Sequence, residues 1–382
     1  MAALAEAVAR YLAGRREEMV DLLHHLVTLE SPSTDAAAQQ PVFDAIELEV
    51  ASLGYTVHRT PGVRTGGTIL AAPAGSEPDG AQLLVAHCDT VWPSGTLTEM
   101  PVERKDGRFR GPGSYDTKAG IVQGIFALHA LHALGAEPPA RPVLFVNSDE
   151  ELGSPESTPQ VESLARRATR ALILEPSMGP DGHLKTRRKG GGHFEILVSG
   201  RAAHAGLEPG AGASAILELS HVIQRLFALN DVSRGTTVNV GVVEGGLRAN
   251  VVAPRSRAVV DVRVATMDEW QRVEEAIRAL EPSTPGTGIE VRGVFGKPPM
   301  EPRSDGLALF ETAQRLGREL GLTLEGRLSG GMSDGNTTNR FTPTLDGLGA
   351  VGDGAHARHE FVWESALDRR AALLALLLLA PD

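Results

Sequence analysis

Five short stretches carry the residue types that bind cations or move protons. VAHCDT at 85–90 places His87 and Asp89 two positions apart, and GPGSYDTKAG at 111–120 places Asp116 in a glycine-rich loop. VNSDEELGS at 146–154 ends an apolar run in three consecutive acids, Asp149, Glu150 and Glu151. LILEPS at 172–177 ends another apolar run in Glu175, and GDGAHARHE at 352–360 carries His356 behind glycines. Like charges at the end of a buried strand repel one another, and a cation relieves that repulsion. Two zinc ions suit the charge count: Asp116, Glu151 and Glu175 with a bridging hydroxide would offset them, and His87 with a second imidazole would complete the coordination. His356 is the better second imidazole than His359, because it follows the glycines directly. Mixed histidine and carboxylate ligands suit zinc, and less specifically cobalt or manganese.

Two acids then have other work. In an extended segment His87 and Asp89 share one side while Cys88 points away, so the Asp89 carboxylate can orient the His87 ring. Glu150 and Glu151 are neighbours and cannot easily bind one metal. With Glu151 as ligand, Glu150 faces the metal-bound water as general base, and later as the acid that protonates the leaving amine.

These residues must be carried by elements that end together. Gln82–His87, Pro142–Val146 and Arg170–Pro176 read as buried strands, and 117–135 has helical periodicity with a glycine stop. Alternating strands and helices indicate an α/β layer with parallel strands, and such sheets bind ligands at the carboxyl ends of their strands. From about Lys185 to Lys297 the pattern changes to half-polar strands and two helices in the order βαββαβ, a small open-faced, ferredoxin-like sandwich. GKPPMEP at 296–302 reads as a return linker, and a further helix, strand and helix complete the first domain. The expected organisation is a discontinuous α/β domain, 1–184 and 298–382, with an inserted α+β domain, 185–297. The apolar run 371–380 is too short to span a bilayer and reads as a core helix.

Composition narrows the function classes. A net charge of −11 argues against a general nucleic-acid or membrane-surface binder. The single cysteine, Cys88, can form no intrachain disulfide, and the first 27 residues mix Glu and Arg into an amphipathic helix rather than a signal peptide. A cytoplasmic protein is expected. No GxGxxG or GxxxxGK[ST] turn follows the first strands, which disfavours nucleotide binding.

Taken in order, HCDTVWPSGTL, GPGSYDTKAG, NSDEELGS, LEPS and GDGAHARHE resemble the motifs of M20-type metallopeptidases, in particular the glutamate carboxypeptidase (carboxypeptidase G2-like) branch. The likeness runs from about residue 20 onward and includes RKGGGHFEILVSGRAAHAGLEPGAGASAILEL, which is similar to the start of that family's lid and dimerisation domain. The resemblance implies a zinc-peptidase-like catalytic domain with a mostly parallel central sheet and helices on both faces. It also implies two Zn2+ per subunit. Asp116 would bridge the metals, His87 and Glu175 would hold one, Glu151 and His356 the other. Asp89 would orient His87, Glu150 would be the base, and the bond after Asp116 would be cis. His204 would stabilise an oxyanion, often from the partner subunit. Asn250, Arg263 and Gly331 would contact substrate, with Arg263 forking onto a free α-carboxylate. Thr117 departs from the Met or Asp frequent in relatives without removing a ligand.

The expected activity is zinc-dependent hydrolysis of an amide bond in small peptides or N-acyl amino acids with a free C-terminal carboxylate, by a homodimer joined through the inserted domain. An N-acyl-amino-acid deacylase or desuccinylase is the alternative within the superfamily, and a noncatalytic metal- or peptide-binding protein the alternative outside it.

Overall fold

The structure is a computed structural model and describes residues 2–75 and 79–381. The chain forms two compact units. One comprises 1–186, 302–328 and 333–382, and the other 187–301 with 329–332. The second unit thus takes the residues just before 302 and a four-residue loop from the region expected to be wholly catalytic.

Among the described residues, six strands form the main sheet of the larger unit, in the order Tyr55–Thr60, Thr68–Pro73, Pro142–Asn147, Gln82–His87, Arg170–Ile173 and Thr344–Leu345. The first two pairings are antiparallel and the remaining three parallel. Alternate side chains of the central strands enter different cores. Leu84, Ala86, Leu144 and Val146 join the cluster built by helices Ala119–Ala133 and Glu364–Leu379. Leu83, Val85, Val143 and Phe145 join Val161 and Leu164 of helix Thr158–Ala165. Burial on both faces explains why these strands read as unbroken apolar runs. The run 371–380 lies in the core as part of Glu364–Leu379, and no helix among the described residues is long and apolar enough to cross a membrane.

Short strands complete this unit. Gly352–Asp353, Phe361–Trp363, Arg108–Arg110 and Glu103–Lys105 form a small antiparallel sheet. Strands of two or three residues show no period in sequence, so this sheet was not anticipated. Its loops hold Asp116 and His356. The buried Arg370 guanidinium donates to the carbonyls of Gly349, Gly182 and Gly347 at 3.0, 2.8 and 2.5 Å, bracing the turns that follow Glu175.

In the second unit the strands order as Thr237–Gly245, Arg255–Val264, Gly190–Ser199 and Gly288–Lys297, each antiparallel to its neighbour. Phe194, Ile196 and Val198 pack with Val222 and Leu226 of helix Ala215–Phe227 and with Val273 and Ile277 of Met267–Arg278. Ser214 and Thr266 cap those helices by accepting from Leu217 and Glu269 amides. The segment expected to be a linker differs. The last strand runs to Lys297, and Met300 exchanges both backbone hydrogen bonds with Arg188 after Pro298 and Pro299 interrupt the ladder.

Glu269 is the polar anchor of this unit. Hydrogen bonds from Arg272 at 2.7 Å, against burial and with help from Thr236 and Arg234, hold its carboxyl at about 2. A carboxyl depressed on folding contributes stability that is complete above its unfolded value and lost as pH falls through the folded one. Thermal melts of the wild type should therefore lose stability between roughly pH 4.5 and 2 through this group, and Glu269→Gln should flatten that part of the profile. Superimposable acid limbs would remove Glu269 from the account.

Candidate metal centre

His87 ends strand Gln82–His87 and is buried. Its Nδ1 lies 3.0 Å from the Asp89 carbonyl and 3.4 Å from the Asp89 carboxylate. Its Nε2 faces Asp116 Oδ1 at 3.2 Å and Glu175 Oε1 at 3.4 Å. Asp116 reaches the other imidazole as well: its Oδ2 is 3.5 Å from His356 Nε2, which lies 3.0 Å from Glu151 Oε2. The five residues therefore converge, with Asp116 between the imidazoles. Glu150 faces the His87 side, where one atom each of His87, Glu150 and Glu175 lie within 4.8 Å of one another. The His356 side chain is 53% exposed and His87 only 2%, so the cluster runs from core to solvent.

Local backbone explains how acids are aimed here. The bond between Asp116 and Thr117 is cis. Thr117 Oγ1 donates to the Leu174 carbonyl at 2.6 Å, beside Glu175. Gly120 lies so close to that carbonyl that a Cβ would stand 2.0 Å from it, so only glycine lets the helix start approach the strand end. His356 has φ 60°, a left-handed conformation that a histidine adopts at a cost. The three consecutive acids part company. Asp149 is buried and accepts from the Glu156 and Ser157 amides at 2.7 and 3.0 Å, while Glu150 and Glu151 begin a single tight turn. His359 and Glu360 follow His356 in the same loop.

Three features lay outside the sequence reading. The Asp89 carboxylate, besides facing His87, accepts from the Glu150 and Glu151 amides at 3.2 Å each and from Ser33 Oγ at 2.7 Å. Lys185 Nζ stands 3.8 Å from Glu175 Oε2. Glu360 is buried beneath the Asp116 loop. Neither Lys185 nor Glu360 breaks an apolar run, and the amides that donate to Asp89 meet it only in the folded chain.

The electrostatics call for positive charge. Burial would lower the His87 pKa, but the bonds to Asp116, Asp89 and Glu175 raise it well above its ordinary value. Asp116 and Glu151 raise that of His356. Burial opposes ionisation of Asp116, yet the two imidazoles hold its carboxyl far below the usual range. Protons on the rings neutralise the acids; a divalent cation between ring nitrogens and carboxylates would do the same. The donor set fits such an ion: imidazole nitrogen with carboxylate oxygen, and a carboxylate on the far ring nitrogen of His87.

The remaining candidates belong to the second unit. His204 Nδ1 accepts from the Gly206 and Leu207 amides at 3.1 Å each, which leaves the ring proton on Nε2. Asn250 adjoins it, its carbonyl accepting from the Ala205 amide at 3.0 Å. Arg263 is 26% exposed and forks onto Asp261. The Gly331 carbonyl accepts from the buried Arg188 at 3.2 Å.

A sequence model described as peptidase family M20/M25/M40 matches residues 83–380. The chain belongs to peptidase family M20/M25/M40. As a member of that family it is an enzyme of the metallopeptidase and amidohydrolase class. Among relatives, carboxypeptidase G2 of Pseudomonas sp. is 27% identical over 94% of this chain and 88% of its own length. Acetylornithine deacetylase of Myxococcus xanthus is 31% identical over 68% of this chain and 70% of its own. The crystal structure of aminopeptidase PepT from Bacillus cereus covers 95% of this chain and 98% of its own, with TM-score 0.77 at 21% identity. That likeness, at 21% identity, is one of fold.

Asp116 faces both imidazoles, so Asp116→Asn should weaken divalent metal binding, measured by equilibrium dialysis with elemental analysis of the folded variant. Wild-type stoichiometry and affinity would exclude Asp116 from the ligand set.

Proposed function

We propose that this enzyme is a dinuclear zinc amide hydrolase of the glutamate carboxypeptidase kind, acting on small peptides or N-acyl amino acids with a free C-terminal carboxylate. The observation that carries the reading is one carboxylate, Asp116, set between two imidazoles, with a Glu150 carboxylate oxygen within 4.8 Å of the His87 ring. His87 and Glu175 would hold one ion, His356 and Glu151 the other, and Asp116 would touch both. When bound, zinc supplies Lewis acidity and a water of lowered pKa.

The chain's own groups do the rest. Asp89 keeps His87 turned with Nε2 toward the ligand position. Glu150 takes a proton from the attacking water on a carboxylate oxygen and hands it to the leaving amine nitrogen. His204, with its proton on Nε2, would donate to the oxygen that gains charge as the carbonyl carbon becomes tetrahedral. Asn250 and the Gly331 amide would hold substrate, and Arg263 would exchange Asp261 for the substrate α-carboxylate. Cobalt or manganese would substitute for zinc. A homodimer joined through the second unit and a cytoplasmic setting belong to the same proposal.

The likeness to carboxypeptidase G2 along nearly the whole of both chains supports the carboxypeptidase reading. The identity with acetylornithine deacetylase supports a second one, N-acyl-amino-acid deacylation, in which the same groups would break the same kind of bond. The intact Glu150 argues against a noncatalytic binder.

Zinc-loaded enzyme assayed on dipeptides and N-acyl amino acids separates the two readings. Either predicts that amidating the C-terminal carboxylate suppresses hydrolysis, and equal rates on acid and amide would reject carboxylate recognition. Glu150→Gln should lower kcat by roughly 10²–10⁴ with zinc content retained. A variant with wild-type kcat would reject Glu150 as the base.

A further inference from the structure

The Asp116 loop poses an accounting problem in backbone hydrogen bonds. Residues 113–116 precede helix Ala119–Ala133, yet Asp116 has φ −116° and ψ 91°, and the segment is not helical there. The Ser114 amide donates to the Gly111 carbonyl and the Lys118 amide to that of Gly113. The amides of Gly113, Tyr115 and Asp116 lie in the core of the loop with no such ladder, and buried amides left unpaired are costly.

One side chain takes all three. Glu360 is 1% exposed and comes from the chain just before strand Phe361–Trp363. Its Oε1 accepts from Tyr115 at 2.8 Å and Asp116 at 3.1 Å, and its Oε2 from Gly113 at 3.1 Å and from Trp92 Nε1 at 3.4 Å. Both oxygens must therefore accept, which a carboxylate can do and an amide cannot. The nitrogen of a glutamine here would point its hydrogens at an N–H on whichever side it lay. Glu360 also follows His356 by four residues, so one short loop presents the imidazole at its tip and grips the Asp116 backbone at its base. Gly354, with φ 85°, makes the turn, and a Cβ there would press on Glu360 backbone at 3.0 Å.

We infer that Glu360 is the positioning residue for the cation pair: by binding the Gly113, Tyr115 and Asp116 amides with its two carboxylate oxygens, it fixes where the Asp116 carboxylate stands relative to His356. The inference rests on the metal-centre reading. Glu360 touches neither ring and is not offered as a ligand. Its work is to hold one ligand's backbone and, through the same loop, the other's.

The test measures zinc affinity by chelator competition on the folded, zinc-stripped protein. Glu360→Gln should bind zinc roughly 10- to 100-fold more weakly than wild type, the range for losing a residue that orients a ligand. Glu360→Asp keeps the charge but falls short of the three amides, so it should weaken binding likewise. It carries the test alone if the glutamine variant does not fold. Glu269→Gln, which removes a buried carboxylate network in the second unit, is the control for general destabilisation and should leave zinc affinity unchanged. Wild-type affinity in a folded Glu360 variant would overturn the inference, as would equal weakening by Glu269→Gln. A wild-type protein that binds no zinc would instead overturn the metal-centre reading itself.

Discussion

Three carboxylates gathered around two imidazoles are the constraint that the larger unit must satisfy. Two like charges 4 Å apart repel by about 4 kcal/mol near a protein surface, and Asp116, Glu151 and Glu175 each lie 3.0 to 3.5 Å from one or other of the same two imidazoles. Such an arrangement persists only if positive charge enters it. The parallel strands, the glycine that lets a helix press on the Leu174 carbonyl and the left-handed His356 all serve to bring these groups together.

The same unit uses other acids in a different way. Asp89, Asp149 and Glu360 are each buried, and each accepts from backbone amides of a loop that no regular ladder satisfies. Asp89 does so for the turn that displays Glu150 and Glu151, and Asp149 for the amides beyond it. Irregular loops at a reactive rim need acceptors from somewhere, and side-chain carboxylates supply them with charge-assisted bonds. Asp116, Glu151 and Glu175 thus face the imidazoles, Asp149 and Glu360 hold loop backbone, and Asp89 does both.

That division explains which residues could be read beforehand. His87, Glu150, Glu151 and Glu175 interrupt or end apolar runs, and Asp116 and His356 sit among glycines. Each is anomalous in its own neighbourhood, so their convergence was legible, while their service as ligands or, for Glu150, as base stays with the proposed function. The three central strands of the main sheet were legible for the same reason, because burial on both faces leaves apolar runs, whereas Tyr55–Thr60, with alternating exposure, left none. In the second unit the alternation of half-polar strands with two helices was legible as well. Glu360 lies in a polar stretch with no pattern to break, and its partners are amides at 113–116, visible only once the chain folds back. The small sheet of two- and three-residue strands left no periodic trace. For His204, Asn250, Arg263 and Gly331 the residue types alone said little, and the resemblance to M20 enzymes singled them out.

The order of these parts along the chain has a consequence for biosynthesis. His356, the Glu360 grip and helix Glu364–Leu379, which fills one face of the main sheet, all follow the second unit in sequence. A chain emerging from the ribosome at about 5–20 residues per second exposes N-terminal parts first. The acids of the rim and the apolar strands beneath them are therefore made, along with His87, well before His356 and helix Glu364–Leu379. The second unit, continuous but for four residues, can fold while the first waits. Until translation passes residue 379, the larger unit lacks the complete helix that packs on one face of its main sheet.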